Sequence, residues 1–163
     1  MTLTMGEIMN SYGKLFRGHS KINLRSYNPE IERYFQVIKE ARSEGLKQVI
    51  INSEIMTDIL YATLQSDGMI LKVNMSDNTD NDVKDNVKAI ISKLKSDKLI
   101  FVKLKEELEW ASDSGSIDIN SIDVYFSNKR YEIYSNGIIH GDDLDLIFSE
   151  ILKPVLEKYF YGK

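Results

Sequence analysis

The chain has 163 residues, 42% of them hydrophobic and 28% charged, with a net charge of −4. That is enough apolar content for a packed core and too much for wholesale disorder. There is no cysteine, and the two histidines are His19 and His140. Disulfides, thiolate nucleophiles and cysteine-based zinc sites are therefore excluded.

The charge is uneven. Residues 1–50 carry eight basic and five acidic side chains, and residues 51–163 carry thirteen and twenty. The excess of acid in the longer part suits a basic partner, and it also suits plain solubility. No run approaches about 18 consecutive apolar residues, so no membrane span is expected. Residues 1–20 contain Glu7 and lack an apolar signal core, so no secretory leader is expected and a cytoplasmic location is. Asn74-Met75-Ser76 fits a glycosylation pattern, which in that compartment is a chance match.

In chain order, Thr4 and Glu7 form a capping box ahead of Met5, Ile8, Met9, Tyr12, Leu15 and Phe16 at helical spacing, which predicts a helix over 5–17. A second helix is predicted after Asn28, with Pro29 in its first turn. Its apolar stripe is Ile31, Tyr34, Phe35, Ile38 and Ala41, and Gly45 ends it. The apolar run 48–51 predicts a strand covered on both faces. A helix after Ser53 turns Ile55, Met56, Ile59, Leu60 and Leu64 inward, and after Asp67-Gly68 a strand places Met69, Leu71 and Val73 on one side.

A helix with Val83, Val87, Ile90, Ile91 and Leu94 inward follows the Asp-rich loop. Residues 99–102 predict another covered strand, and 103–111 fit either a helix or a long strand through Trp110. Ile122, Val124 and Phe126 alternate as in a strand, Asn128-Lys129 turns it back into 131–135, and Asn136-Gly137 is a further turn. The last helix runs from Leu144 to Phe160, with a kink or break expected at 151–153 because Pro154 lacks a backbone donor. The order predicts a single domain over 1–163 of the α+β class. Its mixed sheet would hold two β-α-β units within 47–103 and an antiparallel hairpin, packed with about five helices.

The chemistry-bearing residues are few. His140 is followed by Asp142, Asp143 and Asp145, a set that suits a general base or a divalent cation. The same acids are explained by capping the last helix. Asp77, Asp80, Asp82 and Asp85 fail as a calcium loop. Counted from Asp80, position five is Lys84 and position six is Asp85, where glycine is needed; counted from Asp77, position six is Asp82. Glu106, Glu107, Glu109 and Asp113 surround Trp110, the only tryptophan, which is either a core residue or an interface anchor.

Tyr125, Tyr131 and Tyr134 fall on the predicted hairpin, where cross-strand aromatic packing accounts for them. Lys14, Arg17, Lys21 and Arg25 alternate with Tyr12, Phe16, His19 and Tyr27. That pattern can bind single strands, but an acidic chain is a poor nucleic-acid partner. Dinucleotide and P-loop glycine motifs, a nucleophile elbow around Ser114-Gly115-Ser116 and the H-E-x-x-H metal motif are all missing.

The sequence assigns no cofactor, no metal and no catalytic residue; it leaves the enzyme question open and favours a binding protein. It would cover a basic partner protein, as an inhibitor or immunity protein covers a toxic enzyme. Its predicted contact residues are Asp77, Asp80, Asp82, Asp85, Glu106, Glu107, Glu109, Trp110 and Asp113. Two alternatives stand beside it: an adaptor or chaperone holding an extended partner segment, and an enzyme without a standard motif that uses His140 with nearby carboxylates.

Overall fold

A computed structural model describes residues 11–113 and 118–163, with the backbone alone at Ser112 and Asp113. The elements are β1 Ser11–Arg17, β2 Ile22–Tyr27, α1 Tyr34–Ser43, β3 Lys47–Gln48, α2 Ser53–Gln65, β4 Met69–Met75 and α3 Asn81–Leu94. A 3₁₀ turn, Lys98–Ile100, leads into α4, Phe101–Asp113. Then come β5 Ile119–Phe126, β6 Lys129–Tyr134, β7 Ile138–Gly141, α5 Leu144–Ile147, a π turn Phe148–Leu152 and α6 Lys153–Tyr161.

The protein is α+β, with one open sheet in the order β2-β1-β7-β6-β5-β4 and with β3 also paired to β1. Every pairing among the described strands is antiparallel. The two β-α-β units are thus not formed, and the sheet is not mixed. Of the run 48–51 only Gln48 lies in a strand, β3; Val49 and Ile51 are buried and donate to the Leu15 and Ser135 carbonyls, and Ile50 is exposed. Residues 99–102 are helical. Asp97 accepts a hydrogen bond from the Leu99 amide at 3.0 Å and starts the turn, and Phe101, Leu104, Leu108 and Ala111 continue as one buried helical stripe. That stripe also makes 103–111 helix.

Residues 11–17 are strand, contrary to the helix predicted over 5–17, whose residues 5–10 lie outside the described part. Gly13, Lys14, Leu15 and Phe16 are all buried, so β1 is covered on both faces. A strand covered in this way loses the polar–apolar alternation that reveals strands in sequence. The Pro29 helix starts later, at Tyr34. Asn28 accepts the Glu30 amide on its side chain at 3.0 Å, and Glu32 accepts the Asn28 amide at 2.9 Å, which closes a turn instead. Ile31 and Phe35 consequently point to solvent, and Val37 and Ala41 face inward. In β4 a register irregularity between Ile70 and Lys72 moves the inward face to Ile70 and Val73, away from the predicted Met69 and Leu71.

The β5–β6 loop is Ser127-Asn128, both at positive φ, one residue earlier than predicted. Gly45 ends α1 with φ +84°, as expected. The predicted kink before Pro154 takes the form of the π turn, which widens the helix where the proline removes a donor.

Register assigns the two faces. Leu15, Ile22, Ile70, Val73, Ile122, Val124, Tyr131, Ile133 and Ile139 point into one core, against α2, α3 and the helices from Leu144 onward. On the opposite face, α1 alone packs over the β1–β2 end through Val37, Ala41, Phe16 and Tyr27. α4 rests on α2 and α3 as an outer layer.

Gly137 has φ +82°, and a Cβ there would meet the Val49 carbonyl at 2.5 Å and Lys14 Nζ at 3.1 Å. Gly45 has a similar φ with open space around it. Gly45→Ala should therefore cost about 1–2 kcal/mol of left-handed strain alone. Gly137→Ala should cost about 1–3 kcal/mol more, from overpacking. Urea unfolding midpoints compare the two, and equal losses would contradict the close approach at Gly137.

Candidate functional site

Three surfaces carry the exposed chemistry. The first is the part of the sheet that α1 leaves uncovered. Antiparallel register places Tyr12, His140, Glu132, Asp123 and Lys72 side by side across five strands. His140 stacks on Tyr12 with ring centroids 4.2 Å apart, and its Nδ1 lies 3.6 Å from Glu132. Tyr134 donates to Glu132 at 2.5 Å. That bond, followed by burial, pushes the Tyr134 hydroxyl up to about 12.

Asp123 is only 6% exposed. It is satisfied by Arg130 at 2.6 Å and Asn74 at 3.3 Å, and Asn74 also donates to Ser121 at 2.9 Å. Glu132 and Asp123 thus each hold a donor already, in two separate hydrogen-bonded groups, one with Tyr134 and one with Arg130, Asn74 and Ser121. The tyrosines do not pair with one another. Tyr131 is buried on the core face opposite Val124, while Tyr125 and Tyr134 lie opposite Arg130 and Ser121 on the other face. Burial, then the charge of Asp143, pushes Tyr131 up to about 12, and its hydroxyl donates to the Asp143 carbonyl at 2.9 Å.

The acids after His140 have structural tasks. Asp143 caps α5 by accepting the Leu146 amide at 3.2 Å and pairs with Lys129 at 3.5 Å. Asp145 sits in the first turn of α5. A half-open cleft of about 670 Å³ passes Asp142, Asp143, Asp145, Glu30 and Glu32, and His140 is not among the residues that line it. Among the described residues, no group of three or more histidines, aspartates or glutamates is placed to hold a metal ion.

The second surface is the outside of α4. Val102, Glu106, Glu109 and Trp110 fall within about 100° of one another around the helix. Trp110 is 63% exposed and Val102 60%, and Leu99 extends the patch at 84%. A core position for Trp110 is thus excluded. Glu107 turns sideways and accepts Asn86 of α3 at 3.1 Å, and Glu109 pairs with Lys105 at 3.9 Å. A shallow groove of about 500 Å³ runs between α3 and α4, bordered by Trp110, Glu106, Glu107 and Lys103 on one side and Asn86, Ile90 and Lys93 on the other.

The predicted acidic loop does not join this patch into one acidic surface. Asp80 caps α3 through the Asp82 amide at 2.7 Å, and Asp82 lies in the first turn, where it complements the helix dipole. Asp77 and Asp85 are exposed nearby. Beyond them α3 carries Lys84, Lys88 and Lys93. The Asp113 side chain lies outside the described residues. The third surface, a trough between α3 and β4, does not stand out in the sequence, because its lysines are interspersed with the aspartates of the intervening loop and helix start and only the packing of α3 beside the strand brings them together.

No protein family, no curated protein and no solved structure matches the chain. No described helix is long and apolar enough to cross a membrane.

Among the described residues Lys14 is the one buried cation, 1% exposed. It donates to the Asn136 carbonyl and lies 5.6 Å from the Tyr34 ring centre and 5.8 Å from that of Phe16. Its cross-strand neighbour Arg25 is itself paired with Glu44. Burial pushes the Lys14 ammonium down to about 8. Between about pH 8 and 10.5 the unfolded chain therefore binds a proton that the folded one has released, and stability rises with pH. The slope from this group is at most about 1.4 kcal/mol per pH unit. Tyr131 and Tyr134 act in the opposite direction only above about pH 10, the ordinary tyrosine value. Lys14→Met should flatten the stability profile between about pH 8 and 10, as measured by urea unfolding at each pH. An unchanged slope would show that another group sets it.

Proposed function

We propose that the protein works by covering a basic protein surface, in the manner of an inhibitor or immunity protein, and that the outer face of α4 is the contact. The reading is carried by Trp110, 63% exposed on a helix whose inner face is already fully engaged. A large indole left in water beside Val102 and Leu99 is what a binding anchor looks like before its partner arrives. Glu106 and Glu109 on the same face supply the sign of charge that steers a basic partner. Asp77 and Asp85, exposed at the start of α3, add negative charge outside the patch and belong to the same reading, whereas Asp80 and Asp82 serve the start of the helix.

The test begins with a partner captured from the source cells. Trp110→Ala should weaken its binding by about 2 kcal/mol or more, roughly thirtyfold, as for an interface hot spot. Stability should change by no more than about 0.5 kcal/mol, because the site is on the surface. Glu106→Lys with Glu109→Lys should slow association about tenfold at low salt and less at high salt. Because Trp110 is the only tryptophan, its emission should also shift to the blue on binding. A partner that holds both variants as tightly as the parent would remove α4 from the contact.

A further inference from the structure

On the far side of α3 from Trp110 lies a surface of opposite character. Among the described residues, β4 is the last strand of the sheet and pairs only with β5. Its other edge therefore offers backbone N–H and C=O groups with no strand beside them. Between that edge and α3 runs a trough of about 450 Å³. Val73, Val87 and Ile91 contribute apolar walls, and Leu71, at the register irregularity of β4, adds to them. Lys72, Lys84, Lys88 and Lys95 also line it, and no carboxylate does. None of these four lysines takes part in an ion pair among the described residues.

A lysine on an edge strand commonly serves to discourage unwanted pairing, and Lys72 alone fits that role. The three lysines on α3 and beyond it do not, because they stand across the gap from the strand. An edge strand facing a helix across an apolar trough has the parts that strand addition requires. The backbone supplies the hydrogen bonds, and the trough accepts alternate side chains of an extended peptide. The unpaired lysines fix the sign of what enters.

We propose that this trough binds an extended acidic peptide segment of a partner protein, which adds beside β4 as an eighth strand. Its apolar residues would meet Val73, Val87 and Ile91, and its carboxylates would meet the lysines. β4 spans seven residues, so a segment of similar length fits. Self-pairing of β4 with a second copy would bring Lys72 of each chain together and is disfavoured by like charge. The proposal stands apart from the α4 contact in place, sign of charge and kind of partner.

The probe is a fluorescent peptide of alternating glutamate and valine, about eight residues long to match the strand. It is titrated against the full chain and followed by anisotropy. Saturable binding is expected, weakened about tenfold or more by Lys84→Glu with Lys88→Glu. Binding should be lost when alternate peptide amides are N-methylated, a change that removes strand donors and leaves every side chain in place. Trp110→Ala should leave it unchanged, which separates this site from the α4 contact. The proposal is overturned if a lysine–valine peptide binds equally well, if N-methylation has no effect, or if nothing binds at millimolar peptide. It is also overturned if sedimentation shows that a second copy of the chain already occupies the edge.

Discussion

The architecture turns on the junction where β1 is shared. Along one side β1 pairs with β2 at residues 12–17; along the other it pairs with β7 at residues 11–14 and with β3 at residues 16–17. The turn at Gly137 fits between these two partners. Leu15 donates to the Gly137 carbonyl at 2.9 Å, and Val49 donates to the Leu15 carbonyl at 3.2 Å. Any side chain on residue 137 would strike the Val49 carbonyl. Lys14 reaches the neighbouring Asn136 carbonyl from within the same junction, so a buried cation is tied to the same turn. An ammonium so deeply placed costs free energy unless it is hydrogen-bonded, and the turn supplies the acceptor.

This junction fixes the rest of the layout. With β1 buried on both faces, the β1–β2 end needs a cover on the side away from the main core, and α1 provides it. Among the described residues only one helix lies there, and it does not extend over the strands beyond β7. Their polar side chains pair among themselves, as Asp123 with Arg130 and Asn74 shows. The other face carries the main core. α3 closes over its β4 end, and α4 lies outside α2 and α3 as a second layer. A helix in a second layer needs only one apolar face, so Trp110, Val102 and Leu99 have no packing role that accounts for them. α3 thus separates two surfaces of different character: an exposed indole with Glu106, Glu107, Lys103 and Lys93 around its groove on one side, and an apolar trough lined by lysines and no carboxylate on the other.

Side chains that satisfy their own helix, or pair across a strand, leave the same mark in a sequence as side chains waiting for a ligand. Asp80 and Asp143 illustrate this. Each belongs to an acidic cluster that could be read as a binding site, and each accepts a backbone amide at the start of a helix. His140 stands in a row whose other members come from four different strands, and only register brings them together. The lysine-lined trough joins Lys72 to Lys84, Lys88 and Lys95 across a strand–helix gap. In one dimension those lysines are scattered among aspartates.

The sequence alone determined the α+β class, α2 and α3, the β5–β6 hairpin, the left-handed ends at Gly45 and Gly137 and the disturbance before Pro154. Each of these follows from interactions within a few residues: apolar spacing, turn chemistry or a missing donor. Tertiary structure decided that 11–17 is strand, because burial on both faces erases the alternation that marks a strand. It decided that 99–102 is helical, because only Phe101 of that apolar run is buried and it continues the stripe of Leu104, Leu108 and Ala111, while Leu99 and Val102 face water. It also decided that every strand pairs antiparallel and that Trp110 faces water. Pairing direction and exposure depend on residues distant in the chain, and no local pattern encodes which distant segment will supply the missing face.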